Sequence, residues 1–131
     1  MPTISIDIRK EYSIEIEEKI IKSVYISCKQ TLRLPDHDRD IRLNIHKPHL
    51  FLCPTNLARP ECFTLIQIDL FFGRSIETKR TLYRDIVQNL SFLDIPEDHI
   101  KILIRELPTE NWGIRGGQAA CDVDLGFNIQ I

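Results

Sequence analysis

Hydrophobic and polar residues alternate strictly over Thr3-Ile4-Ser5-Ile6-Asp7-Ile8, which predicts a half-buried strand with Ile4, Ile6 and Ile8 on one face. The period then changes. Ile16, Ile20, Val24 and Cys28 recur one helical turn apart, joined by Ile21 and Leu32 and preceded by Ser13, a good N-cap. This predicts an amphipathic helix that ends before Pro35. Arg39 to His46 alternates again, with Ile41, Leu43 and Ile45 on one side, as a second strand. Residues 47–62 carry Pro48, Pro54 and Pro60 and no periodicity, and read as a connection. Thr64, Ile66, Ile68, Leu70 and Phe72 then line one face of a third strand. Ser75 caps a second helix, with Leu82, Tyr83, Ile86, Val87 and Leu90 as its apolar stripe. After Pro96, Ile100, Ile102 and Ile104 face inward on a fourth strand. From Pro108 the chain is a Gly-rich tail, and the alternation of Phe127, Ile129 and Ile131 predicts a short closing strand.

The pattern occurs twice. Ile6-Asp7-Ile8 returns as Ile68-Asp69-Leu70, and Ser13-Ile14-Glu15 as Ser75-Ile76-Glu77, both 62 positions on. Pro35 returns as Pro96 at an offset of 61, and Pro48 as Pro108 at an offset of 60. A nearly fixed offset means that one supersecondary unit is used twice. Each unit reads β-α-β, whose crossover makes its two strands parallel. The predicted fold class is therefore α/β (α+β): two tandem β-α-β units forming a four-stranded mixed sheet with two helices on one face. It is expected as a single domain over 1–131, with the repeat at 2–48 and 63–108 and the Gly-rich loop and short strand at 109–131. The other sheet face carries Ser5, Asp7, Arg42, Asn44, Gln67, Asp69, Lys101 and Arg105 among Phe63, Leu65 and Leu103. That face is too mixed to be simply solvated, which predicts an oligomer.

Composition changes this picture little. The 131 residues are 43% hydrophobic and 27% charged with a net charge of −2, ordinary for a globular domain. Positive and negative residues are interspersed, without the basic stripe of a nucleic-acid binder. No apolar run approaches the roughly 18–20 residues of a membrane span. Asp7, Arg9, Lys10, Glu11 and further acids early in the chain argue against a secretory leader, so a cytoplasmic protein with reduced Cys28, Cys53, Cys62 and Cys121 is expected. His46, His49, Cys53 and Cys62 match no zinc spacing, and Gly113–Gly117 lacks the Lys-Ser/Thr of a phosphate loop. No metal or cofactor is expected.

The candidate chemistry begins at Pro2. A methionine before so small a residue is usually removed, leaving a prolyl secondary amine at the head of a buried strand. Desolvation or a nearby cation lowers such an amine's pKa, making it a base near neutral pH; its protonated form is an acid. From the dipeptide alone, Pro2 merely follows the first methionine. The rest of the chain adds to it. Leu34-Pro35-Asp36-His37-Asp38-Arg39, Gly73-Arg74-Ser75 followed by Glu77 and Lys79, Ile95-Pro96-Glu97-Asp98 and Glu110-Asn111-Trp112-Gly113 resemble, in order and spacing, segments of the malonate semialdehyde decarboxylase-like branch of the tautomerase superfamily. The resemblance runs from Pro2 to about Trp112 and implies the tautomerase fold, a homotrimer, and cofactor-free chemistry on a small keto or enol carboxylate.

By position, the resemblance makes Pro2 the catalytic amine, Asp38 the acid that positions substrate or water, Arg74 the carboxylate-binding arginine and Trp112 a pocket wall. Read without it, Asp38 is a solvated acid before a strand, and Arg74 is a cation at a helix start, where the dipole disfavours it. The decarboxylase pattern carries a second arginine two residues before Arg74, where this chain has Phe72. That departure implies a more apolar pocket, with Phe72 as a second wall, and favours tautomerisation of a 2-keto acid over decarboxylation or hydration. Arg115 stands where apolar residues are common and reads as a solvated loop residue that could instead supply the missing charge. A catalytically silent trimeric binding protein is the alternative from a different class.

Overall fold

The alternation of the first residues forms β1 (Thr3–Ile8), whose Ile4, Ile6 and Ile8 are at most 2% exposed. A computed structural model describes all of Met1–Ile131. Helix α1 (Ile14–Leu32) starts at Ser13, whose hydroxyl accepts the Ile16 N–H at 3.2 Å. It stops where Arg33 turns left-handed ahead of Pro35, a residue that cannot extend a helix. β2 (Ile41–Ile45) completes the first unit. The second unit repeats the plan with β3 (Thr64–Phe71), α2 (Ile76–Ser91) and β4 (Ile100–Leu107). Ser75 caps α2 as Ser13 caps α1, accepting the Thr78 N–H at 3.2 Å.

The four strands lie in the order β2-β1-β3-β4. β1 runs parallel to β2 and β3 parallel to β4, while the central pair β1 and β3 is antiparallel. This is the mixed sheet that two β-α-β units imply, joined about a local two-fold between β1 and β3. One core fills the space between sheet and helices, built from the strand rows Ile4, Ile6, Ile8 and Ile66, Ile68, Leu70 and the helical rows Ile20, Val24, Cys28 and Leu82, Ile86, Leu90. The far face of the sheet is held by cross-strand polar pairs: Asn44 Nδ2 donates to Ser5 Oγ at 3.0 Å, and Arg105 Nε to Asp69 Oδ1 at 2.6 Å. Leu103 on this face is 45% exposed.

The connection at residues 47–62 forms two short 3₁₀ turns, Pro48–Leu50 and Pro60–Cys62. Arg9 fastens it to the sheet. Its guanidinium donates to the carbonyls of Phe51 at 2.6 Å, Pro60 at 2.7 Å and Pro48 at 3.2 Å. No helix is long and apolar enough to cross a membrane, and all four cysteines are free.

Two expectations fail, both where alternation meets a change of backbone. The inward row of β3 does not run on to Phe72. The strand ends at Phe71, which is fully buried, and Phe72 is 53% exposed. The turn that follows, with Gly73 at φ 133°, breaks the two-residue period there. The closing strand over Phe127, Ile129 and Ile131 does not form either. Those residues do bury one side more than the other, but along an irregular segment without a ladder partner. The tail's short strands lie earlier, as a hairpin of β5 (Gly113–Ile114) and β6 (Gln118–Ala119) about the Gly116-Gly117 turn.

Candidate active site

Because β1 and β3 are antiparallel, the start of β1 lies beside the end of β3: Thr3 pairs with Asp69. Because β1 and β2 are parallel, it also lies beside the segment entering β2: Ile4 pairs with Ile41, and Thr3 Oγ1 donates to Asp40 Oδ2 at 2.8 Å. The topology thus brings three widely separated segments to one end of the sheet. They are the N-terminus, the turn before β2 and the turn after β3.

Asp38 enters from the turn that follows α1, in which its N–H bonds the Pro35 carbonyl at 3.1 Å. It is 5% exposed, and its Oδ2 lies 3.4 Å from the N-terminal amine of Met1, an ion-pair distance without hydrogen-bond alignment. Arg39 points the other way, its guanidinium 5.6 Å from the Tyr25 ring centroid, so only the aspartate of the Asp38-Arg39 pair belongs to the cluster. The amine's pKa is lowered from 8.0 to about 6. Burial is the largest cause; the Asp38 carboxylate opposes it and the Arg74 charge reinforces it. Pro2 itself is buried.

Arg74 comes from the turn between β3 and α2. Gly73 permits that turn in two ways. Its φ of 133° suits glycine, and a Cβ there would stand 2.3 Å from the Ile129 carbonyl oxygen. Arg74 is 5% exposed, and its Nη1 donates to the Phe71 carbonyl at 3.2 Å. Its Nε and Nη2 are buried and have no hydrogen-bond partner. These two atoms form the edge of a guanidinium that meets a carboxylate with two parallel bonds. Burial lowers the Arg74 pKa, while the carboxylates of Glu106 and then Asp38 oppose that shift. A buried charge-bearing donor left unsatisfied costs about 1–3 kcal/mol or more, so an open pair on one edge is a strong sign of a ligand position.

Aromatic residues surround the arginine. The Phe71 ring meets Trp112 edge-on at 5.0 Å, and the Phe127 ring centroid lies 6.0 Å from the Arg74 guanidinium carbon. The Trp112 indole N–H is buried without a partner, a second free donor in the cluster. Four of the five residues singled out from sequence, Pro2, Asp38, Arg74 and Trp112, therefore converge through this chain of contacts. Phe72 does not share their burial; its neighbour Phe71 is the one whose carbonyl accepts from Arg74 and whose ring meets Trp112. Arg115 also lies apart, exposed at the hairpin turn and donating to the Asp124 carbonyl at 2.7 Å. Sequence reasoning missed Phe71, Phe127 and the ion pair of Lys79 with Glu106. The pair had a readable signal. Lys79 stands one turn before Leu82 on the apolar stripe of α2, and Glu106 continues the inward row of Ile100, Ile102 and Ile104. A surface concavity of about 470 Å³, lined by Ile21, Tyr25, Ile26 and Ile41 among others, lies between α1 and β2, apart from the Arg74 cluster.

A titratable amine, a buried acid and an open buried guanidinium at one sheet end are the equipment of proton transfer on a carboxylate. The family model described as tautomerase enzyme matches residues 38–115, from Asp38 through Arg74 and Trp112, and the chain belongs to that family. It is 39% identical over 57 residues to a 2-hydroxymuconate tautomerase of Stutzerimonas stutzeri, covering 43% of this chain and 89% of that one. That relative is thus about as long as one of the two units. A malonate semialdehyde decarboxylase inhibited by 3-bromopropiolate superposes with a TM-score of 0.80 at 26% identity, over 89% of this chain and 92% of that one. A fused 4-OT in an asymmetric trimer shares the fold, with a TM-score of 0.80 at 19% identity over 92% and 97% of the two chains.

Proposed function

We propose that this protein is a cofactor-free keto–enol tautomerase acting on a small 2-keto carboxylate, with the amine of Pro2 as its acid–base group after removal of Met1. The observation that carries this reading is the open Nε and Nη2 edge of a buried Arg74, beside an amine whose pKa falls toward 6. The arginine holds the substrate carboxylate. The free amine of Met1 stands in for that of Pro2, which follows it by one residue, about 3.8 Å between Cα atoms. A neutral amine takes the proton from the enol hydroxyl or the α-carbon and returns it to the neighbouring atom. Asp38 orients the amine or the substrate, and its charge limits how far the amine's pKa falls. Trp112 supplies a wall and a donor, and the exposed Phe72 is available for contact with a second subunit of a homotrimer.

The test is ketonisation of the enol of phenylpyruvate, followed by ultraviolet absorbance, on protein whose loss of Met1 has been checked by intact mass. General acid–base catalysis by one group contributes about 10²–10⁴-fold, so Pro2→Ala should lose activity on that scale. Equal rates for wild type and variant would refute the reading, as would retention of Met1 in active protein. Decarboxylation of malonate semialdehyde is a second reading, favoured by the 26% identity to a decarboxylase over nearly the whole chain. It predicts release of carbon dioxide from that acid, lost in Pro2→Ala.

A further inference from the structure

The Lys79–Glu106 ion pair sits where two apolar rows meet the site end of the core. Its side chains are only 21% and 20% exposed. Lys79 interrupts the buried stripe of α2 and Glu106 the inward row of β4, which faces it across Leu70. Glu106 pairs with Leu70, one residue before Phe71, whose carbonyl accepts from Arg74 Nη1 at 3.2 Å, and its charge opposes the lowering of the Arg74 pKa. It is thus an anion poised beside an arginine whose bidentate edge is nevertheless open. The repeat supplies an internal control. Shifted back by 62, Arg74 and Lys79 become Tyr12 and Glu17; shifted back by 61, Glu106 becomes Ile45. Where the arginine is absent, the pair is absent.

Resting on the reading of Arg74 as the carboxylate site, we propose that Lys79 is a positioning residue for substrate recognition: by holding the Glu106 carboxylate it keeps that anion off the open Arg74 edge and reserves the edge for the substrate. A pair that only stabilised the fold would be harmed alike by loss of either partner. A pair that guards the arginine has opposite signs. Without Lys79, Glu106 closes on Arg74 as an internal competitor; without Glu106, Lys79 is left as an additional cation beside the site.

Trp112 is the single tryptophan of the chain, so its fluorescence reports on the site. Phenylacetate, a carboxylate that cannot turn over, is the probe, and 2-phenylethanol its uncharged control. Lys79→Met should bind phenylacetate about tenfold more weakly, the size of coupling between neighbouring charged groups. Lys79→Arg should stay within about threefold of wild type, Glu106→Gln should bind as tightly or more so, and Lys79→Met/Glu106→Gln should return to within about threefold. Unchanged binding by Lys79→Met, a matching loss in Glu106→Gln, or a double variant as weak as Lys79→Met would overturn the proposal. Should Lys79→Met not fold, the sign of the Glu106→Gln effect decides alone. Arg74→Gln tests the underlying reading separately: wild-type affinity there would remove the carboxylate site itself, whatever the Lys79 variants do.

Discussion

The two ends of the sheet are built from equivalent positions and have been put to opposite uses. At one end stand the N-terminus, Asp38 and Arg74. At the other, an offset of 62 puts Thr64 where Pro2 stands and Tyr12 where Arg74 stands, and an offset of 61 puts His99 where Asp38 stands. Two of those three side chains, Thr64 and His99, are closed off. The Thr64 hydroxyl donates to the Cys62 carbonyl at 3.0 Å. His99, 1% exposed, accepts the Arg59 N–H on Nε2 at 3.0 Å, and its Nδ1 lies 2.7 Å from Asp98 Oδ1. The Tyr12 hydroxyl and Glu17 Oε2 lack partners there, and burial, followed by the neighbouring Cys62, pushes the Tyr12 pKa up to about 12. At the matching positions one end carries a hydroxyl, a phenol and an imidazole, whereas the other keeps an amine, a carboxylate and a guanidinium with open valences. The β-α-β plan positions both ends equally well; what differs is the residue types it positions.

Paired substitutions sharpen this contrast. Arg74→Gln should lower kcat/KM about a hundredfold or more, because two charge-assisted bonds of about 1.5–3 kcal/mol each are lost. Tyr12→Phe, at the matching position, should leave the rate alone and keep or raise Tm, since its hydroxyl bonds nothing. A comparable loss in both variants would break the comparison. Gly73→Ala is expected to destabilise by about 1–3 kcal/mol in urea titrations, through an unfavourable φ and the clash with Ile129.

The two ends should also respond to pH with opposite signs. With Met1 in place, the folded amine titrates near 6 and the unfolded one near 8.0, so the folded chain binds fewer protons in between and stability rises with pH across that window. The Tyr12 hydroxyl titrates near 12 folded against 10.0 unfolded, so the stability that its neutral form contributes is lost as pH rises through that higher range. Urea midpoints measured from pH 5 upward check both, and acetylating the Met1 amine should remove only the first slope. The smallest effect is a symmetric one: Ser13→Ala and Ser75→Ala should each cost about 1 kcal/mol by thermal melts, because both caps make the same bond.

Most of the fold was legible because it rests on periodicity. Four alternating strands, two helical stripes and an almost constant offset leave few arrangements open. Asp38 and Arg74 were visible only through family resemblance. In local terms an acid before a strand and a cation at a helix start look solvated, and only the antiparallel pairing of β1 with β3 makes them neighbours. Phe72 shows the limit of extrapolating a period: one turn at Gly73 exchanged the roles of two adjacent phenylalanines. The tail failed for a related reason, since Phe127 to Ile131 bury alternate side chains without any strand to pair with.

The guanidinium of Arg9 has a mechanical consequence. By gathering three carbonyls from the join between the halves, it turns a tether into a clamp. The link between the two units is thereby pinned to the end of β1 instead of hanging as a loose string.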